Sequence, residues 1–143
     1  MASIMKKPTP QLSKPETLRI LFGVAAHCKY QIHGMDAVTA FLNSVLKETI
    51  YVKQAEGFAD PEHPDWVYLL NKALYGLKQS VFEWYNTLKA VLESAELQFK
   101  RIESDHAVFI VRTELSTVYL ALLVDDMAIF GKAKLSSRQV DSL

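Results

Sequence analysis

Three aspartates of this sequence are candidate ligands for a divalent metal ion. Asp125 and Asp126 are adjacent, inside an almost unbroken apolar run from Val118 to Phe130. A carboxylate buried in such a run is very costly unless a cation or hydrogen-bond donors compensate it. A tight turn between two strands avoids that cost, because the turn projects both carboxylates from one rim of a sheet. A hard divalent cation, which prefers oxygen ligands, fits such a rim.

The third aspartate, Asp36, ends a short strand-like segment that begins at Tyr30. The sequence therefore places three carboxylates at strand ends. Aspartate is also a favoured turn residue, so the Asp125–Asp126 pair taken alone fits an ordinary turn. The histidines at positions 33, 63 and 106 lack metal-ligand spacing with any cysteine, and we assign them no chemistry.

Composition limits the classes of protein that the chain can represent. It has 143 residues, 50% of them hydrophobic, and a formal net charge of zero, which indicates one globular domain without a general basic excess. Any nucleic-acid role must therefore rest on local patches. The single cysteine, Cys28, excludes a disulfide framework, and its apolar helical surroundings predict a buried structural thiol. No apolar run approaches the length of a membrane span, so we expect no membrane partner.

Two segments have the spacing of amphipathic helices. The first follows the capping-box pattern Ser13 to Glu16 and predicts a helix over about 14–29, with an apolar face at helical spacing that consists of Leu18, Leu21, Phe22, Ala25 and Cys28. The second follows the similar pattern Ser80 to Glu83 and predicts a helix ending near Ala95. One face of the second helix is apolar and favours a core position: Trp84, Leu88, Val91, Leu92 and Ala95.

The remaining segments predict strands and turns. We expect strands at 30–36, 49–53 and 66–70, a short turn or helix at 37–42, a surface loop at 56–65, and three strands in two hairpins over 107–130. The second hairpin would turn at the Asp125–Asp126 pair. This order predicts an α+β fold, an antiparallel sheet with helices packed on one face. We expect the carboxylates on the other face.

Several short motifs occur in the same order as in one known family. On these motifs the chain resembles, from Lys14 to about Lys132, the reverse transcriptase of copia-type retrotransposons. No single motif is specific, but their shared order and spacing make chance resemblance implausible. The motifs are Lys14 to Arg19, Met35-Asp36 with Thr39 to Leu42, Tyr51 to Gln54 with Glu56 to Phe58, Lys72 to Ser80, Trp84-Tyr85, Ser104 to His106 with Phe109-Ile110, and Val124 to Asp126.

The resemblance implies a truncated polymerase palm whose family activity is RNA-directed DNA polymerisation. The implied organisation is a loose lead-in over 1–13, a palm-like domain over 14–132 and a polar tail over 133–143. In the family, Asp36, Asp125 and Asp126 would be catalytic residues that bind two magnesium or manganese ions. The implied partners are an RNA or DNA template-primer and a deoxynucleoside triphosphate.

The resemblance also implies a nucleotide- and template-binding segment. Phe41 falls where the family has an aromatic ring that excludes a 2′-hydroxyl, although an ordinary core position explains Phe41 equally well. The matching positions beneath nucleotide and template are Tyr75, Gly76, Lys78 and Gln79. Gly76 would permit close approach of the backbone, and Lys78 would offer charge to phosphates or would be a solvated surface residue.

Departures from the family pattern weaken the contacts to nucleic acid. Leu123 replaces the usual tyrosine before Val-Asp-Asp, Val81-Phe82 replaces Pro-Arg, and Asn43 to Val45 replaces a glycine-acidic turn. Relative to that family, we expect a basic fingers segment reduced to about a dozen residues and no thumb. We therefore expect weak or absent activity from this short chain.

Two other functions stay open at this stage. One is a non-catalytic interaction module, derived from a retrotransposon palm, that binds a protein partner or itself through exposed apolar surface. The other is a metal-dependent phosphodiesterase, which is disfavoured because no general base or further ligand cluster lies near Asp36 in the sequence. A retroelement origin predicts an intracellular location, in the cytoplasm with access to the nucleus.

Overall fold

The computed structural model describes residues 13–77, 79–114, 116–123 and 126–132, and their secondary structure confirms the α+β prediction. The lead-in before Ser13, the polar tail, Lys78 and Asp125 lie outside the described residues. In chain order the elements are α1 (Pro15–Cys28), β1 (Gln31–Asp36), a short 3-10 helix (Ala40–Asn43), β2 (Val45–Lys53), β3 (Val67–Lys72), α2 (Ser80–Leu92), β4 (Lys100–Arg101), β5 (Val108–Arg112), β6 (Thr117–Leu122) and β7 (Asp126–Gly131).

The chain forms two compact units, which we call the sheet unit and the ribbon unit. The sheet unit comprises the residues up to Val38 and from Tyr85 onward, and the ribbon unit comprises Thr39–Trp84, so the boundary falls within α2. The sheet unit contains a five-stranded sheet of order β1-β7-β6-β5-β4 in which all pairs are antiparallel. The sequence pattern missed the two-residue strand β4, which is too short to show periodicity.

Helix α1 packs on one face of this sheet. Leu21 and Ala25 lie in a buried cluster with Val108, Ala121, Ala128 and Phe130, and Phe22 contacts the Phe130 ring edge-on, with centroids 5.3 Å apart. The apolar spacing of α1 therefore identified Leu18, Leu21 and Ala25 as residues that face the sheet, whereas Phe22 and Cys28 of the same set are exposed. An edge-to-face aromatic contact adds to the stability of such a cluster, and here the exposed ring of Phe22 covers the buried ring of Phe130.

The central strands are also buried on the face opposite α1. On the second face of the sheet the buried side chains are Phe109, Val118, Leu120, Leu122, Met127 and Ile129. A strand buried on both faces has no polar alternation. This accounts for the apolar run on either side of the aspartate pair.

The ribbon unit is built on one antiparallel pair, β2 and β3, which form a two-stranded sheet. The loop between these strands is held together by the side chain of Gln54. The Gln54 amide donates to the His63 carbonyl at 2.8 Å, and its oxygen accepts from the Asp60 backbone N–H at 2.7 Å. The predicted surface loop is therefore present and internally hydrogen-bonded.

The capping prediction for α1 was wrong. The N-cap is Lys14, in an extended conformation, and no side chain within the helix caps it. Pro15 occupies the first helical position, which suits its fixed φ and missing N–H. The Ser13 hydroxyl instead donates to the Leu122 carbonyl at 2.8 Å. The Ser13 hydroxyl therefore bonds to a carbonyl that is distant in sequence instead of forming the local capping bond.

The second helix begins at Ser80 as predicted, and the Ser80 hydroxyl donates to the Leu74 carbonyl. It ends at Leu92, three residues earlier than expected, so that Ala95 lies beyond it and is exposed. Val91 is exposed too, and the buried face consists of Trp84, Leu88 and Leu92. In the described part of the chain, neither helix is long and apolar enough to cross a membrane.

Cys28 corrects a further prediction, because it is a free, exposed thiol rather than a buried one. The buried face of α1 ends at Ala25, and the chain leaves the helix at Lys29 through a left-handed conformation with φ of 54°. The last turn therefore continues the apolar spacing past the residues that contact the sheet. Helical periodicity alone could not show where that contact ends.

Candidate active site

Asp36 and Asp126 lie directly opposite each other on neighbouring strands. Strands β1 and β7 pair without a register shift from Gln31 with Gly131 to Asp36 with Asp126. Directly opposite residues of an antiparallel pair share a face, and their Cβ atoms are about 4.5–5.5 Å apart. Both aspartates are exposed. Register alone thus brings together two carboxylates that are far apart in sequence.

Leu123 and Asp126 lie opposite each other at the end of the antiparallel β6–β7 pair. Val124 and Asp125 between them lie outside the described residues, so the turn at the aspartate pair stays a prediction. The Leu123 N–H donates to the Asp126 carbonyl at 2.8 Å, and Leu122 pairs with Met127 in the ladder behind it. Asp125 lies outside the described residues, so its role as a metal ligand stays a prediction from the sequence. Leu123 is half-buried and packs against the α1 cluster, where it fills apolar volume.

The face that carries the carboxylates differs from our expectation. Along β7, Asp126 alternates with Met127 and therefore shares a side with Ala128 and Phe130, the side on which α1 packs. The expectation of a face opposite the helices was wrong for α1, because the sheet buries apolar residues on both faces. The two aspartates are exposed because they stand at the ends of their strands.

The donor set of this site suits a hard divalent cation. Two exposed carboxylates held opposite each other supply oxygen ligands, and their mutual repulsion is relieved by a bound cation. Among the described residues, no group of three or more His, Cys, Asp or Glu side chains is placed to hold a metal ion. Asp36 and Asp126 therefore offer a pair, and Asp125 is the third candidate.

Phe41 and Tyr75 contact each other in the ribbon unit. Their rings meet edge-to-face, with centroids 4.5 Å apart and an interplanar angle of 65°. Phe41, in the 3-10 helix, is buried, whereas Tyr75 is 58% exposed. Burial of Phe41 is what a core aromatic requires, and its role in excluding a 2′-hydroxyl stays a prediction. The exposed ring of this pair is Tyr75.

Gly76 is required by the conformation of its own backbone. Its φ is +88°, which strains any residue with a Cβ, and no described atom lies within 4 Å of where that Cβ would be. The Gln79 side chain is held by a hydrogen bond, because its amide donates to the Glu48 carboxylate at 3.0 Å. Lys78, between them, lies outside the described residues.

Glu48 and Lys47 make contacts that the sequence pattern did not predict. Glu48 accepts the bond from Gln79, and Lys47 lies 3.6 Å from the buried carboxylate of Glu83. Both contacts join β2 to the segment around the start of α2. Partners so distant in sequence leave no local signal, so only the fold identifies them.

Comparison with known proteins places these residues in a family context. Residues 6–140 match the family profile described as reverse transcriptase (RNA-dependent DNA polymerase). The chain is 36% identical over 118 residues to the retrovirus-related Pol polyprotein from transposon RE2 of Arabidopsis thaliana, a match that covers 82% of this chain and 8% of that protein.

Other relatives give the same result. The retrovirus-related Pol polyprotein from transposon TNT 1-94 of Nicotiana tabacum is 37% identical over 122 residues, covering 85% of this chain and 9% of that protein. A putative transposon Ty5-1 protein of Saccharomyces cerevisiae is 39% identical over 95 residues, covering 66% of this chain and 30% of that protein. The chain thus spans less than a tenth of the Pol polyproteins from RE2 and TNT 1-94. No solved structure matches it.

Proposed function

This chain belongs to the reverse transcriptase family of copia-type retrotransposons, and from that premise we propose that it forms palm machinery for template-directed transfer of deoxynucleotides to a primer 3′-hydroxyl. The observation that carries the proposal is the pairing of Asp36 with Asp126 at two exposed strand ends. A fixed pair of carboxylates is the donor geometry that divalent-metal phosphoryl transfer needs.

We propose that Asp36, Asp125 and Asp126 hold two magnesium or manganese ions. Bound ions would activate the attacking hydroxyl and neutralise the leaving pyrophosphate. The protein's own contribution is to fix the carboxylates before substrate arrives, since β1 and β7 are paired along their whole length. Preorganised groups avoid reorganisation during the reaction, which is why a rigid sheet suits this role.

The ribbon unit supplies the proposed nucleotide and template contacts. Tyr75 presents an exposed ring supported edge-on by Phe41, and this aromatic pair would pack against the sugar of the incoming nucleotide. Gln79 is held by Glu48, next to Lys78, which we propose as a phosphate contact. The proposed macromolecular partner is an RNA or DNA template-primer, and the proposed location is intracellular.

We further propose that the activity of this chain is weak. Leu123 stands where the family has tyrosine, and it packs against the α1 cluster without a hydroxyl to offer to the primer. Val81-Phe82 removes an arginine that the family places near phosphates. Both differences remove a group that would position the primer or the phosphates. Positioning of the substrates accounts for much of the rate enhancement in phosphoryl transfer.

Primer extension on an RNA template tests the proposal. The 143-residue chain is assayed with magnesium and then manganese beside Asp36→Asn, Asp126→Asn and, as an exposed-loop control, Asp65→Asn. We expect slow extension that both site variants abolish and the control retains, and we expect Leu123→Tyr to accelerate it. Extension that survives in Asp36→Asn contradicts the assignment of the site.

A second candidate function, a non-catalytic interaction module, is favoured by the apolar surface of the ribbon unit. Tyr51, Val67 and Leu69 share one face of the β2–β3 pair, and each is about half exposed or more. In a two-stranded sheet each strand also keeps one edge outside the ladder, which a second copy of the chain could extend.

Sedimentation equilibrium over a wide range of concentrations tests that alternative. Self-association through the ribbon should be lost in Leu69→Lys, on the exposed face, and retained in Ile20→Lys, which adds the same charge to an exposed position of α1. A chain that stays monomeric at high concentration contradicts the self-association proposal.

A further inference from the structure

A closed ring of hydrogen bonds surrounds the end of β6, immediately before the hairpin that carries Asp126. The ring consists of Ser13, Lys14, Asp105, Ala107 and Leu122, and we call it the Ser13–Asp105 clasp. The Leu122 N–H donates to the Ala107 carbonyl at 2.9 Å, and the Leu122 carbonyl accepts from the Ser13 N–H at 3.1 Å. The Ser13 hydroxyl donates to the same carbonyl at 2.8 Å.

Asp105 closes the ring from the other side. One carboxylate oxygen accepts the Lys14 backbone N–H at 2.8 Å, and the other accepts the Ala107 N–H at 3.1 Å. Because Lys14 follows Ser13 in the chain, the carboxylate links the N-terminal segment to the backbone that pairs with Leu122. The Lys14 ammonium adds a bond to the Ser104 carbonyl at 3.1 Å.

The clasp residues other than Lys14 are buried. Asp105 is 1% exposed, Ser13 6% and Leu122 5%. Buried backbone groups need partners, and the Ser13 N–H and the Ser13 hydroxyl both donate to the buried Leu122 carbonyl. The loop that holds Asp105 is anchored again by Tyr85, whose hydroxyl donates to the His106 carbonyl at 2.6 Å. The end of β6 is therefore fixed by residues that are remote in sequence.

Leu122 is also the last ladder residue before the chain reversal. It pairs with Met127, and the next residue, Leu123, donates to the Asp126 carbonyl. Any fraying of β6 at Leu122 would therefore loosen the hairpin and, through β7, the alignment of Asp126 opposite Asp36.

We propose that the Ser13–Asp105 clasp is a positioning device for Asp126, with Asp105 and Ser13 as positioning residues that act through the β6 backbone. This inference rests on the proposed function, because the benefit of the alignment is a metal-binding carboxylate pair. The clasp also gives a physical reason why two separate motifs, Ser13 to Glu16 and Ser104 to His106, occur in one chain: they are halves of a single structure.

Four variants and two readouts test the clasp. Ser13→Ala removes one hydroxyl bond, and Asp105→Asn leaves one acceptor oxygen for two N–H donors. Ser13→Thr keeps the hydroxyl. Thr113→Val is the matched control, because the Thr113 hydroxyl donates to the Ser116 carbonyl at 3.1 Å at the opposite end of the same β5–β6 hairpin. The readouts are the Kd for manganese, from electron paramagnetic resonance of the free ion, and amide exchange at Leu123 by NMR.

We expect Asp105→Asn to raise the manganese Kd about tenfold, the low end for groups that orient metal ligands, and Ser13→Ala to raise it less. Exchange at Leu123 should accelerate in both variants relative to Val118. Ser13→Thr and Thr113→Val should leave both readouts unchanged, even where Thr113→Val lowers Tm as much as Ser13→Ala does. A Kd and a Leu123 exchange rate that stay unchanged in Ser13→Ala and Asp105→Asn would overturn the clasp.

The result also separates this inference from the proposed function. If manganese binding is absent, or is the same in Asp126→Asn, the metal site falls. Amide exchange at Leu123 then tests by itself whether the clasp holds the end of β6. Faster exchange in Ser13→Ala supports the clasp, and unchanged exchange refutes it. If Asp126→Asn abolishes binding while the clasp variants bind normally, the site stands and the positioning role is refuted. An equal rise in Kd for Thr113→Val would assign the effect to general destabilisation and refute it too.

Discussion

The sheet unit and the ribbon unit differ in how much apolar surface each one buries. The central strands β6 and β7 are buried on both faces, whereas nine large apolar side chains of the ribbon are exposed. The exposed ones are Val45, Tyr51, Phe58, Trp66, Val67, Tyr68, Leu69, Leu74 and Tyr75. A two-stranded pair has too little surface to form a core by itself.

The two units also carry different groups of the residues with a proposed function. The carboxylates proposed to bind metal need a fixed separation, and Asp36 and Asp126 stand on the well-packed sheet. The proposed nucleotide contacts lie on the ribbon, which has few buried apolar residues, such as Ala40, Phe41 and Ala73, and hydrogen bonds such as those of Gln54. Elements with few buried contacts open at low free-energy cost. We therefore expect substitutions to act very differently in the two units.

The largest contrast should appear in truncation of aromatic side chains. Phe130→Ala, in the buried α1 cluster, should lower the free energy of unfolding by about 3–5 kcal/mol. Phe58→Ala, at a ribbon position that is 79% exposed, should change it by less than about 0.5 kcal/mol. Urea unfolding measures both. Equal losses would show that the ribbon is as tightly packed as the sheet, contrary to the comparison.

Divalent cations should stabilise the sheet unit through its carboxylate pair. Magnesium at a hundred times its Kd should add about 2.7 kcal/mol to the free energy of unfolding. Asp126→Asn should remove this gain and, because like charges directly opposite are destabilising, should raise the stability of the metal-free protein slightly. Calorimetry with and without magnesium measures both effects. A gain that is the same in Asp126→Asn and in the ribbon variant Asp65→Asn would rule the pair out.

Two buried serines of the ribbon unit should respond in opposite directions. The Ser44 hydroxyl is buried with no hydrogen-bond partner in the described structure, so Ser44→Ala should raise the free energy of unfolding by about 1 kcal/mol. The Ser80 hydroxyl donates to the Leu74 carbonyl, so Ser80→Ala should lower it by about 1 kcal/mol. Urea unfolding compares them. A loss of stability in Ser44→Ala would mean that its hydroxyl is satisfied in solution.

Sequence reasoning succeeded where the signal was periodic or local. Helical spacing placed Leu21 and Ala25 on the buried face of α1, and the apolar run after the aspartate pair predicted a strand where β7 lies. The meeting of Asp36 and Asp126 follows from strand register, once both stand at strand ends.

It failed where the partner of a group lies far along the chain. The Ser13 hydroxyl had a good local partner in a capping box, and nothing in the pattern showed that the Leu122 carbonyl would compete successfully. The exposure of Cys28 was missed for a related reason, because the end of the α1–sheet contact depends on tertiary packing. The edge-to-face contact of Phe41 with Tyr75 likewise needs the folded chain.

The smallest expected effect concerns the hydrogen-bonded loop of the ribbon. Asp60 accepts the Glu62 backbone N–H at 2.9 Å and lies 3.1 Å from the His63 ring nitrogen, and these bonds lower the pKa of the Asp60 carboxyl. A lowered pKa in the folded state means that the bonds stabilise the loop above the ordinary value of 3.8 and that this contribution is lost as the pH falls through the lowered pKa.

Amide exchange at Glu62 should therefore be faster in Asp60→Asn than in the unmodified chain near neutral pH, and the difference should disappear in acid. The sheet unit, which does not contain this loop, should show no such change at Val118. An equal response at Val118 would mean that the loop and the sheet open together. The two units would then be one cooperative structure, and the contrast in burial between them would carry no difference in local stability.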